Sequence, residues 1–131
     1  MVLKIDLTSE QPLYSQLRDQ IIEGIALGSL KEGESLPSVR QMAEDLGINL
    51  HTVNKVYSIL EQDGFLIMRQ RKSAVVQKFP LRPDKSYLKK LPQQLKPIIA
   101  EVYCRQISEP EFIAICKEIY SSFKTEAGNE S

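Results

Sequence analysis

The sequence predicts a mainly α-helical protein with a small β-hairpin wing: an N-terminal winged helix-turn-helix followed by a C-terminal two-helix dimerisation hairpin. Three observations point there. Residues 36–64 hold two short helical patterns separated by the break Gly47-Ile48-Asn49. Phe65–Met68 and Ala74–Val76 then read as strands around the basic run Arg69-Gln70-Arg71-Lys72-Ser73. Further on, Leu88, Leu91, Leu95, Ile98 and Val102 step by 3, 4, 3 and 4 residues, a heptad-type seam along which one helix packs on another.

Taken in order, Leu3, Ile5 and Leu7 alternate with polar residues, the period of a short strand lying beside the first domain. Pro12 sits where a helix can start, because its missing N–H would be an orphan in the first turn anyway. The helix carries Leu13, Leu17, Ile21 and Ile25 as its core stripe and ends near Gly28. Gly24 lies inside it, which implies close packing against another helix, because glycine costs about 1 kcal/mol there relative to alanine. Lys31–Glu34 is a turn, after which Pro37 and Ser38 open a second helix with the stripe Val39, Met42, Ala43 and Leu46. Gly47 suits the left-handed position past a helix end, and Asn49 suits an N-cap. The third helix buries Val53, Val56, Tyr57 and Leu60 and turns His51, Thr52, Asn54, Lys55 and Ser58 outward. Those side chains are short hydrogen-bonding groups rather than the Glu/Lys pairs of a solvated helix. Such a face suits base edges and phosphates in a major groove. An ordinary helical hairpin would show the same stripes, but the basic-tipped β-hairpin that follows completes a winged helix.

The chain therefore divides into a winged helix-turn-helix domain at 1–79, a linker at 80–83, a helical dimerisation segment at 84–125 and a flexible polar tail at 126–131. Pro80 and Pro83 stiffen the linker by biasing the residue before each away from helix. Pro92 and Pro97 fall within the seam, so a late start or a bend is expected in that helix. Ser108-Glu109-Pro110-Glu111 reads as a capping box, and the helix behind it puts Phe112, Ile115, Cys116, Ile119 and Phe123 on one face. Two helices of about 40 residues cannot bury both faces alone. They must pack on their own winged domain or on a second copy; the second copy is expected, with Leu88, Leu91, Leu95, Ile98, Val102, Phe112, Ile115, Ile119 and Phe123 at the interface.

Charge is uneven beneath a formal net of zero, with 26% charged residues. Residues 1–48 carry four Lys/Arg against eight Asp/Glu, and residues 49–78 carry five against two. A local basic face is enough for docking on DNA, since phosphate contacts are local and screened within about 8 Å. No apolar run approaches the ~20 residues of a membrane span, and the first residues lack a signal-peptide core, so a cytoplasmic protein is expected. Cys104 and Cys116 have neither zinc spacing nor the density of a disulfide scaffold and read as reduced, buried small hydrophobes. His51 is the sole histidine and no nucleophile, carboxylate pair or phosphate loop accompanies it. Glu61 and Asp63 straddle a helix end, which suits a structural role. No enzyme activity and no cofactor is expected.

The order Gln11-Pro12-Leu13-Tyr14, Gly24-Ile25, Gly28-x-Leu30, Leu36-Pro37-Ser38-x-Arg40, Ala43, Leu46-Gly47, Thr52-Val53, Leu60-Glu61 and Asp63-Gly64-Phe65 resembles the GntR family of bacterial transcriptional regulators. The resemblance runs from residue 11 to 76. The short C-terminal part is similar to the YtrA subfamily, whose members carry a small helical dimerisation segment. In two places the chain departs from the pattern. Leu50 stands where the family usually has Arg, or Pro in the YtrA type, and Arg71 and Ser73 stand where the wing commonly has Gly.

The resemblance implies a homodimeric, sequence-specific regulator, a repressor, acting on a palindromic operator, often that of a neighbouring transporter operon. Asn49, His51, Thr52 and Asn54 are expected near bases or phosphates, with Ser38, Arg40 and Lys55 anchoring flanking positions and Gln70, Arg71 and Lys72 of the wing clamping the backbone. An unidentified small-molecule effector would sit at the dimer interface or between the helical hairpin and the winged domain. The alternative is a winged-helix protein-interaction module that uses the same face, which the apolar Leu50 favours.

Overall fold

The structure, a computed structural model, describes residues 3–69, 73–77 and 84–128, with side chains as far as Lys124 in the last helix. Its elements are α1 (Leu13–Leu27), β1 (Ser35–Leu36), α2 (Val39–Leu46), α3 (Leu50–Gln62), β2 (Leu66–Arg69), β3 (Ser73–Val76), α4 (Lys85–Cys104) and α5 (Glu109–Gly128). The chain falls into two compact units that divide between residues 81 and 82.

In the first unit the three expected stripes meet, except that Leu13 of the α1 stripe, at the first turn of the helix, is half-buried and outside the core. Leu17 and Ile21 of α1, Met42 and Ala43 of α2, and Val53, Val56, Tyr57 and Leu60 of α3 form one core with Leu36, Leu66, Ala74 and Val76 of the strands. Gly24 is buried on the same side of α1, as its place in the pattern implied. Helix ends follow the local chemistry. Gly28 closes α1 at φ 84°, in the left-handed region glycine favours. The turn between α2 and α3 depends on Gly47 at φ 68°, which lets the Ile48 N–H reach back to the Ala43 carbonyl at 3.1 Å.

The wing is a three-stranded antiparallel sheet in the order β1-β3-β2. Its hairpin register pairs Leu66 with Val76 and Arg69 with Ser73, so the expected hairpin is present. The tip residues Gln70, Arg71 and Lys72 lie outside the described residues, as does the linker at 80–83. Strand β1 was not foreseen, because two residues are too few for a periodic signal. Ser35 pairs with Val75 and Leu36 with Ala74, and Gly33 and Glu34 extend the contact through two bonds of 2.9 Å to Val76.

The N-terminal arm is corrected from the expected strand. Residues 3–6 join no sheet; the amide side chains of α1 satisfy them instead. Gln16 Oε1 accepts from the Asp6 N–H at 2.8 Å and its Nε2 donates back to the Asp6 carbonyl at 3.0 Å. Gln20 pairs with the backbone of Lys4 in the same two-way manner. A primary amide presents one donor and one acceptor side by side, so it can mimic a neighbouring strand. Leu3 and Ile5 pack on the core, whereas Leu7 is exposed.

In the second unit α4 starts at Lys85, so of the late start or bend expected from its prolines the late start is not seen. Asp84 caps it by accepting from the Tyr87 N–H at 2.7 Å. The helix runs through Pro92 and Pro97, neither of which can donate to the carbonyl four residues back. Ser108 and Glu111 form the expected capping box: the Ser108 hydroxyl oxygen accepts from the Glu111 N–H at 3.3 Å and the Glu111 carboxylate accepts from the Ser108 N–H at 3.2 Å. Helix α5 continues to Gly128, past the boundary expected at residue 125. Its end lacks a breaker before that glycine, while Glu126 and Ala127 favour helix. Cys104 is exposed and Cys116 half-buried, a correction to the expected buried pair, because these helices leave most of their surface open in the single chain. No helix among the described residues is long and apolar enough to cross a membrane.

Candidate nucleic-acid interface

Helix α3 is held from below and at both ends, which fixes the direction of its outer face. Val53, Val56, Tyr57 and Leu60 are at most 1% exposed. The Tyr57 hydroxyl donates to the Pro37 carbonyl at 2.8 Å, tying the middle of α3 to the residue just before the α2 cap. At the far end the Glu61 carboxylate accepts from the Met68 N–H at 3.4 Å, and Asp63 lies 3.9 Å from Arg18 of α1. Those two carboxylates brace α3 against the wing and α1.

On the outer side Leu50, His51, Asn54, Lys55 and Ser58 are exposed, while Thr52 is half-buried on the flank. Asn49 caps the helix, its Oδ1 accepting from the His51 N–H at 2.7 Å. Its two amide N–H groups remain for a nucleic acid. Ser38 plays the matching part for α2, its oxygen accepting from the Gln41 N–H at 3.1 Å, with its own proton free to donate. Arg40, in the first turn of α2, is exposed. The first turns of two helices thus flank this face, and free N–H groups at helix N-termini favour phosphate.

Lys55 is held in place by an unforeseen residue. Its ammonium nitrogen sits 4.9 Å from the centre of the Tyr14 ring, within cation–π range. Tyr14 was not part of the expected α1 stripe, yet it packs on the core's rim. Only the crossing of α1 over α3 places the ring beneath a recognition-helix lysine. Among the described residues no group of three or more His, Cys, Asp and Glu side chains could hold a metal ion.

The second unit presents a different surface. No residue of α4 is buried. Of the seam, Leu88, Leu95 and Ile98 are exposed, at 54%, 39% and 54%, while Leu91 and Val102 are half-buried. On α5, Ile115 and Ile119 are exposed, and Phe112 and Phe123 are half-buried.

A helix-turn-helix with a braced polar recognition face and a three-stranded wing is the architecture of a winged-helix DNA-binding protein. Residues 13–76 match the family described as Bacterial regulatory proteins, gntR family. The chain is 36% identical over 77 residues to the HTH-type transcriptional regulator Rv1152 of Mycobacterium tuberculosis, covering 59% of its own length and 64% of that protein. It is 28% identical over 124 residues to the HTH-type transcriptional repressor YtrA of Bacillus subtilis, covering 94% of itself and 95% of the relative. Among solved structures, YtrA from Sulfolobus acidocaldarius, a GntR-family transcription factor, is 40% identical with a TM-score of 0.55, over 90% of this chain and 96% of that one. The chain belongs to the GntR family and is a YtrA-like DNA-binding transcriptional regulator.

Proposed function

We propose that the protein is a cytoplasmic, homodimeric, sequence-specific repressor that binds a palindromic operator. The observation that carries this is the outer face of α3: a helix fixed by buried side chains and a tyrosine bond exposes a run of hydrogen-bonding residues instead of a salt-bridged surface. Asn54 is the base reader, flanked by His51 and Thr52 and by the amide of Asn49. Ser38, Arg40 and Lys55 take phosphates beside it. Gln70, Arg71 and Lys72 of the wing tip extend the contact along the backbone. The repressor sense is supported by the similarity to YtrA of Bacillus subtilis, itself named a repressor. Control of a neighbouring transporter operon is the target we infer from the YtrA-like character.

Residues 84–125 serve as the dimerisation segment, joined to the reading domain by the linker 80–83. The support is the apolar surface of α4 and α5: large side chains such as Ile98, Ile119 and Tyr103 remain exposed in the single chain, an area of a kind that marks an interaction site. A two-fold dimer doubles the contact with a palindrome and sets half-sites one helical turn, about 34–36 Å, or a multiple of it, apart. A small-molecule effector is assigned to that interface rather than to an enclosed pocket.

The test is a mobility shift of the full chain on its own upstream region, with scrambled DNA as competitor. A complex that survives excess scrambled DNA supports the reading. The second reading, a winged helix that binds a protein, draws on Leu50 at 43% exposure. Absence of any sequence preference in the shift would favour it.

A further inference from the structure

Val53, Val56, Tyr57 and Leu60 of α3 turn inward and Ile59 is half-buried, but Leu50 turns out. It is the first residue of the helix, directly after the Asn49 cap, and it is 43% exposed. It belongs neither to the core nor to the half-buried residues packed around it. Residues four apart lie on one helical stripe, so Leu50, Asn54 and Ser58 form a single line, with His51 and Lys55 beside it. Side chains on a helix lean toward its N-terminus, which carries the Leu50 methyls to the leading edge of this face. N-terminal residues of a recognition helix are the ones that meet base edges.

A leucine there can neither donate nor accept a hydrogen bond. Against a phosphate or a polar base edge it would strip water and return nothing. The major groove offers one apolar group, the C5-methyl of thymine. We infer that Leu50 is a specificity-determining residue that packs on a thymine methyl, placing a required thymine in each half-site beside the base read by Asn54. Asn54 is four residues on, about 6 Å along the axis, which is about two base steps of 3.4 Å. The thymine therefore lies within two base pairs of Asn54's base. This inference rests on the operator-binding reading and deepens it.

The experiment uses the full-length chain and a duplex that it selects from a random-sequence pool. Each thymine of the selected site is replaced in turn by uracil, which removes the methyl and keeps every hydrogen-bonding group. One position per half-site is expected to be sensitive, with affinity falling about fourfold for each methyl lost. Leu50→Ala should bind the thymine and uracil duplexes equally, closing a cycle that isolates the contact. Leu50→Met, which keeps apolar reach, should restore the preference. Because Leu50 is exposed and alanine favours helix, neither variant is expected to disturb folding, and an unchanged thermal transition checks this. Equal binding of the wild type to every uracil duplex overturns the inference, and so does a uracil penalty that persists in Leu50→Ala. A pool that yields no enriched sequence is a separate result: it overturns the operator reading, and this inference falls with it.

Discussion

The Tyr57 hydroxyl donates to the Pro37 carbonyl across twenty residues of sequence, at 2.8 Å, and so locks the recognition helix to the start of α2. Burial pushes the Tyr57 phenol well above its ordinary value of 10.0. Above about pH 10 the unfolded chain releases this proton while the folded chain keeps it. Stability from this group is therefore complete below pH 10 and declines above it, by at most about 1.4 kcal/mol per pH unit for one proton. Tyr57→Phe should lose about 1 kcal/mol at neutral pH, the net worth of one hydrogen bond. The same variant should show a shallower alkaline decline. Urea unfolding at pH 7 and across pH 9–11 measures both, and identical alkaline slopes would assign the decline to other groups.

Tyr14 and Lys55 form the next testable pair. The ring restrains a flexible four-carbon stem, and the ammonium retains donors for a phosphate on its far side. Tyr14→Phe should bind the selected duplex like wild type. Tyr14→Leu should weaken binding by about 0.5–1 kcal/mol per subunit. In a Lys55→Ala background, Tyr14→Leu should then have no further effect. Fluorescence anisotropy of the four proteins closes the cycle. Additive losses would show that Tyr14 acts independently of Lys55.

Positioning and reading should separate by salt. Replacing Arg71 and Lys72 together with alanine should weaken binding to every sequence and reduce the slope of log affinity against log salt by roughly one to two. Asn54→Ala should instead cost about 1–3 kcal/mol on the selected site alone, if its amide makes a bidentate base contact. Equal losses on selected and random DNA would assign Asn54 to the phosphate backbone.

The oligomeric state tests the second unit. Light scattering of the full chain should return the mass of two chains. Leu95→Glu combined with Ile98→Glu should return the mass of one, because both side chains are exposed in the single chain and would carry buried charge only in a dimer. DNA affinity should drop sharply with the loss of dimerisation, since the second half-site no longer binds as an intramolecular event. An unchanged mass would remove the α4 seam from the interface.

The sequence by itself determined the local elements, because each is encoded within one or two turns of chain. The i, i+3, i+4, i+7 stripes of α2 and α3 define which faces are buried, Gly47 and Gly28 end helices where a left-handed residue is needed, and Ser108 with Glu111 starts α5. It also named the outward residues of α3, because what is left after removing a buried stripe is the opposite face. Tertiary structure decided whatever depends on non-local contact. Strand β1 exists because β3 offers Ser35 and Leu36 an edge. The N-terminal arm is not a strand because Gln16 and Gln20 supply its hydrogen bonds from a helix. Periodicity leaves Tyr14 out of the α1 stripe, and only the packing of α1 on α3 puts it under Lys55. Leu50 was legible in the sequence as an apolar residue on the outer face of α3, because it lies off the buried stripe. Among the described residues it stays 43% exposed, an apolar side chain at the leading edge of a polar face.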